Sequence, residues 1–274
     1  MSDTAFRTSV SVPTLLGVIN QFHGIMNLSY TFRPETTINR KRGVLPGFQP
    51  QRIPVCKYFG IGIRGFANIS SQDNLAQPYY PSPENQDLYE PVPFRCVPER
   101  LSPEEEAKYR MRTLTTIGNQ QYYQYWLKCI EFEDTSVRLS KVDENGRETA
   151  YVIDNNNLNP IPSIANSSDV INSTTSRIVA SVTGICTVTG AEVVEVINAM
   201  YGGDLRKARI SEFGVYTGED HEVSAELDAD GVAYKEAVYV QLASHRCTLG
   251  TDLSNPSTVL KERKVFENGS CILL

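Results

Sequence analysis

The sequence is 274 residues long, 41% hydrophobic and 21% charged, with a formal net charge of −6. These are globular proportions for one large or two modest domains, and the negative charge argues against nucleic acid as the main partner. No apolar run approaches the ~18 residues that span a bilayer, and the opening MSDTAFRTSVSVPTLLG lacks the basic and apolar regions of a secretory signal, so synthesis in the cytosol with no membrane partner is expected.

Thr14 to Met26 places Leu15, Leu16, Val18, Ile19, Phe22 and Ile25 near helical spacing and predicts a short amphipathic helix with His23 as a packing residue. The next apolar stretch, LSYTFRPE, reads as a strand ended by Pro34. Arg40, Lys41 and Arg42 form the one compact basic cluster, read as a solvated turn, with docking of an acidic neighbour as the sharper alternative.

Arg52 to Phe66 (RIPVCKYFGIGIRGF) alternates Ile53, Val55, Phe59, Ile61 and Ile63 against Tyr58, Gly60, Gly62 and Arg64. That period predicts a strand with one apolar and one smooth face. Glycines inside a strand mark a bulge or the close approach of another group, so a neighbour from this chain or the next subunit is expected against them. The residues also spell G-x-G-x-x-G. A dinucleotide fingerprint needs those glycines to open a helix, and the FANISSQDN that follows does not, so no nucleotide or other cofactor is expected.

From Asp73 to Glu99 the chain turns proline-rich, with Pro78, Pro81, Pro83, Pro91, Pro93 and Pro98 among Tyr79, Tyr80, Tyr89 and Phe94. Proline fixes φ and removes a donor. An extended strap lying on a surface is predicted, its aromatics ordered against this chain's sheet or a partner. Ser102-Pro103-Glu104-Glu105 is a capping box with proline at the first helical position and predicts a helix through Leu114, stopping by Gly118. Tyr122 to Phe132 reads as a strand. A hairpin follows about Asn145-Gly146, and residues 155–168 read as a linker.

Arg177 to Val188 alternates as a strand. Thr189-x-x-Glu192 is a second capping box, opening a helix through Tyr201 that Gly202-Gly203 ends. Two strands follow, ARISEFGVYTG and VAYKEAVYVQLASHRC, and the tail after Cys247 reads as an arm. The expected class is α+β, mainly β: antiparallel sheets, a few short helices, a long proline-rich extended segment and extended termini. Three parts are expected, 1–98, 99–165 and 166–274, or one composite domain.

No G-x-S-x-G, H-E-x-x-H or Walker A string occurs, and His23, His221 and His245 have no spacing that marks a catalyst; no catalytic residue is assigned. The six cysteines, 56, 96, 129, 186, 247 and 271, include no C-x-x-C and no Cys/His ligand spacing, so no metal is expected; they are read as buried free thiols, with disulfides within the chain or to neighbouring subunits as the alternative. Asp228-Ala229-Asp230-Gly231 resembles part of a calcium loop, but Glu226 and Ala237 occupy its first and twelfth positions, and a hairpin turn is expected. Cys271-Ile272-Leu273-Leu274 matches a prenylation box; a lipid-anchored adaptor is one alternative function and a hydrolase with an unrecognised site another.

KYFGIGIRGF, NLAQPYYPSPENQDLYEPVPFRCVP, LSPEEEAKYRMR and ISEFGVYTG with EAVYVQLASHRC resemble, in that order and nearly end to end, uncharacterised virion structural proteins of large tailed bacteriophages. The resemblance implies a non-enzymatic subunit of the tail, baseplate or neck, found in the virion and partnered by copies of itself and other virion proteins. The interface candidates are then Tyr58, Gly60, Gly62, Arg64, Tyr79, Tyr80, Tyr89 and Phe94.

Overall fold

The computed structural model describes residues 9–26, 32–70, 75–133, 137–143, 145–152, 177–228 and 230–272. They are mainly β, 50% strand against 19% helix, in antiparallel sheets. Strand β1 (Ser9–Pro13) leads through Thr14 into helix α1 (Leu15–Met26). The helix forms where its spacing predicts, but its apolar residues divide, Leu16 and Val18 being half-buried while others face outward. Its inward face is Thr14, Gly17 and Asn20, one turn apart. The Thr14 hydroxyl donates to the Leu242 carbonyl, Gly17 lies where a Cβ would collide with the Ala243 backbone, and Asn20 Nδ2 donates to Gln241 Oε1 at 2.8 Å. Leu15, Ile19 and Phe22 are 53%, 46% and 56% exposed.

The strand expected at LSYTFRPE falls partly outside the described residues, and Pro34–Thr36 is a single 3-10 turn. Helix α2 (Ile38–Arg42) follows, capped by Thr37 and ended by left-handed Gly43. The basic cluster is therefore a helical turn and not a free loop. Strand β2 (Val55–Gly62) is shorter than its apolar pattern, because the chain bends at residues 63–65 and resumes in β3 (Phe66–Ser70), paired with β4 (Leu75–Pro78). The proline-rich strap then adds two short strands, β5 (Pro91–Val92) and β6 (Arg95–Val97).

Ser102 caps helix α3 (Pro103–Glu106), which lasts one turn. The longer helix expected here is instead strand β7 (Tyr109–Ile117), hairpinned through Gly118 to β8 (Gln120–Cys129). The segment Thr113-Leu-Thr-Thr-Ile117 is rich in β-branched side chains that favour a strand, and Glu236 accepts the Met111 and Arg112 N–H groups at 2.5 and 3.0 Å. Strand β9 (Glu131–Phe132) and the predicted hairpin, β10 (Arg138–Val142) with β11 (Glu148–Ala150), come next. The linker expected at 155–168 lies outside the described residues.

The C-terminal third follows its sequence signals closely. Strand β12 (Arg177–Thr189) enters helix α4 (Gly190–Tyr201) through the complete Thr189–Glu192 capping box, and Gly202 ends it. The long strands β13 (Arg209–Val223) and β14 (Tyr234–Asp252) pair along their whole length. The expected arm is strand β15 (Val259–Ile272); Leu273 and Leu274 of the prenylation string lie outside the described residues.

Two compact units interleave along the chain. The first is Met1–Ile130 with Thr187–Lys261, the second Glu131–Cys186 with Glu262–Leu274. Among the described residues, the first unit holds a sheet ordered β1-β14-β13-β2-β8-β6, with β5 on β2 and β7 on β8. Strand β2 is central and buried on both faces: Tyr58 and Gly60 join Met111, Leu127, Tyr216, Val240 and Leu242, while Phe59 meets Phe94 edge-on at 5.1 Å. The second unit is built on the order β11-β10-β12-β15, with β9 on β12.

Candidate functional site

The three motif glycines face β13 or its side chains. A Cβ on Gly60 would stand 2.9 Å from the Tyr216 ring, and one on Gly65 would strike the Ser211 carbonyl. At Gly62 the space belongs to the Glu212 carboxylate, 2.6 Å from where a Cβ would be, and to the Glu90 carbonyl of the strap at 2.8 Å. Glu212 is wholly buried. Its Oε1 accepts the Tyr89 N–H at 2.7 Å, and its Oε2 accepts the Arg64 and Glu90 N–H groups at 3.0 and 3.1 Å. One carboxylate therefore holds both the end of β2 and the middle of the strap.

The fourth donor to Glu212 is His245, from the neighbouring strand. Its Nε2 lies 3.0 Å from Oε1, while Nδ1 faces the Asn85 amide nitrogen at 3.0 Å. An amide N–H aimed at Nδ1 leaves that nitrogen an acceptor and puts the ring proton on Nε2. Cys247, two residues on and hence on the same face of β14, brings Sγ to 3.6 Å from Nε2. His245 and Cys247 are both wholly buried, and the Tyr89 ring covers the imidazole at a centroid distance of 4.9 Å. Among the described residues, Glu212, His245 and Cys247 form a trio whose donor atoms all lie within 4.8 Å of one another.

The environment separates these groups electrostatically. Burial pushes the Glu212 carboxyl up, but the His245 bond and the three backbone donors outweigh it and hold the group below the ordinary glutamate value. Glu236 also accepts three backbone N–H groups, from Met111, Arg112 and Ala237, with no side-chain donor among the described residues, and there burial wins and the carboxyl is raised. Burial, helped by the Glu212 charge, pushes the Cys247 thiol up to about 12.

Elsewhere in the first unit a second pattern repeats. Four buried tyrosines each donate a hydroxyl to a carboxylate that a cation also holds. Tyr216 meets Asp87 (2.9 Å), which Lys41 and Arg42 bind; Tyr58 meets Asp220 (2.8 Å), with Lys57 and Arg110. Tyr109 meets Glu192 (2.6 Å), with Lys128, and Tyr125 meets Glu106 (3.2 Å), with Arg100 and Arg112. A desolvated hydroxyl needs an acceptor and a desolvated carboxylate a cation, so each set is closed within the chain.

Of the predicted interface residues, Tyr58, Gly60, Gly62 and Phe94 pack inside the first unit. The neighbour that fills the smooth face of β2 is this chain's own β13 and strap. Arg64, Tyr79, Tyr80 and Tyr89 are exposed, and Tyr79 stacks edge-on to Tyr89 at 5.9 Å over the trio. Cys96, Cys186 and Cys247 are buried and outside any disulfide, as expected, whereas Cys56 and Cys129, also outside any disulfide, are half-buried. The calcium-like segment is a turn, its Gly231 N–H bonded to the Asp228 carbonyl, and the Asp228 carboxylate is taken by Arg100 and Arg112. The pairing of a cysteine with a histidine escaped the sequence reading. His245-x-Cys247 is an i, i+2 pair within a predicted strand, and that period alone places both on one face.

The matching region of the chain runs from residue 1 to 261. The chain belongs to the family of unknown function DUF7208. No curated protein and no solved structure matches it. The surface depression lined by Leu205, Arg206, Arg209, Gly250 and Asp252 draws on neither the trio nor the tyrosine–carboxylate sets.

Proposed function

We propose that the chain is a structural subunit of a tailed-bacteriophage particle, in the tail, baseplate or neck, working through contacts with copies of itself and with other virion proteins. The observation that carries this reading is the outward apolar row of helix α1. An amphipathic helix ordinarily buries its apolar stripe, whereas this one buries Thr14 and Asn20, leaves Leu16 and Val18 half-buried and presents Leu15, Ile19 and Phe22 outward. Burying such side chains gains about 1.5–3 kcal/mol each, a gain left for a partner. Beside α1, β1 ends the sheet order with one edge unpaired among the described residues, a natural template for strand addition. The exposed Tyr79, Tyr80 and Tyr89 offer a second contact of the kind enriched at interfaces. The ordered resemblance to phage virion proteins supplies the particle.

The test combines proteomics of purified virions with mutagenesis. The chain is expected in the particle at stoichiometric abundance, and Ile19→Asp with Phe22→Asp is expected to abolish its assembly while leaving the circular dichroism and melting temperature of the isolated chain unchanged. Its absence from purified virions would sink the proposal.

A further inference from the structure

We propose that Glu212, His245 and Cys247 form a binding site for one divalent transition metal, zinc by its donor set, which ties β13 to β14 beneath the proline-rich strap. This site does not depend on the phage reading. A tetrahedral zinc has bonds of about 2.0–2.1 Å to nitrogen and oxygen and about 2.3 Å to sulfur, so donor-to-donor edges of about 3.3 Å (N–O) and about 3.6 Å (N–S). The observed edges are 3.0 Å from His245 Nε2 to Glu212 Oε1 and 3.6 Å from Nε2 to Cys247 Sγ. The third edge, oxygen to sulfur, lies within 4.8 Å against about 3.6 Å in a tetrahedron, so a side-chain movement of about an ångström or less seats one ion among the three.

The hydrogen bonds rebalance without a loss. Oε1 has two acceptor positions, one used by the Tyr89 N–H and one by the His245 ring proton. A metal ion takes the second position and displaces no backbone donor. The ring proton then moves to Nδ1, where the Asn85 amide, rotated to present Oδ1, accepts it. That is the outer-sphere bond that orients a metal-bound histidine. The thiol releases its proton to solvent, so one proton leaves for each ion bound. A glutamate, a thiolate and a dication sum to zero charge, which suits a wholly buried site. The mixed nitrogen, oxygen and sulfur donors favour zinc or cobalt over magnesium or calcium, and the fourth corner of the tetrahedron is left to a small exogenous donor such as water.

Cobalt(II) is the probe, added to the full-length chain during refolding because the strap covers the site. One cobalt per chain is expected, with tetrahedral d–d bands and a thiolate-to-cobalt charge-transfer band. Affinity should rise about tenfold per pH unit while the thiol is protonated. Cys247→Ser, checked for folding by circular dichroism in chelator, should lose the charge-transfer band, and His245→Gln should lose tight binding. Asn85→Ala retains all three ligands and should bind about 10–100-fold more weakly, a readout that survives if Cys247→Ser does not fold. No saturable binding by the wild-type chain, a band that persists in Cys247→Ser, or an unchanged affinity in Asn85→Ala would each overturn the proposal.

Discussion

Gly62 yields its side-chain space to a carboxylate, and the consequence can be weighed against a glycine that yields to nothing. Gly62→Ala drives a methyl group into Glu212 Oε2 and the Glu90 carbonyl, so it should cost about 1–3 kcal/mol as an overpacked core does, with more lost if the strap detaches. Gly24, in α1, has no atom within 4 Å of a Cβ, and Gly24→Ala should stabilise by about 0.5–1 kcal/mol through helix propensity. Urea titrations of the two variants should move in opposite directions. The need for a close neighbour at Gly60 and Gly62 was legible from strand period alone. Its identity was not, because Glu212 lies 150 residues away and no local pattern announces a long-range hydrogen bond.

At the scale of elements, the signals that proved legible were those in which a local rule and the fold agree, such as the Thr189–Glu192 box, the Asn145-Gly146 hairpin and the long strands. The capping box at Ser102 set a helix start but not its length, since Glu236 claims the backbone donors of Met111 and Arg112, five and six residues beyond the helix. Helix α1 was legible as a helix but not in its facing, because a buried threonine and asparagine and a half-buried glycine add nothing to an apolar stripe. The α2–strap contact is the most testable of these junctions. Asp87 binds Lys41, Arg42, the Tyr216 hydroxyl and its neighbour's N–H, and Arg42 lies 3.7 Å above the ring of Trp126, the single tryptophan. Asp87→Ala strands a buried guanidinium and should cost about 3–5 kcal/mol, whereas Tyr216→Phe removes one donor and should cost about 1 kcal/mol. Trp126 fluorescence should change in the first variant and stay near wild type in the second.

Over the whole molecule, carboxylates held by cations link stability to acidity. Burial raises the Asp220 carboxyl, but hydrogen bonds from Lys57 and Arg110 overcome it and bring it from 3.8 to about 2. A carboxyl lowered on folding stabilises the protein fully above its unfolded value and loses that contribution as pH falls through the folded one. Asp220→Asn should therefore cost about 2 kcal/mol near neutral pH, and its gap from wild type in urea midpoints should close as pH is lowered from about 5 toward 2. Conversely, Glu236 is raised, so its contribution runs the other way and improves as it is protonated.

The Glu212 hub also constrains how the chain can be made. Its bonds to Arg64 and Tyr89 span 148 and 123 positions of sequence, and β2, with glycines shaped for β13, is translated long before β13 exists. A ribosome adding about 5–20 residues per second thus leaves β2 and the strap without their partner for several seconds. During that interval Phe59 and Ile61 have no complete sheet around them, and their apolar side chains stay open until β13 and β14 follow. Nascent chains stalled before Arg209 should be cleaved readily by protease within the strap, and chains stalled after Asp252 has left the exit tunnel should resist it.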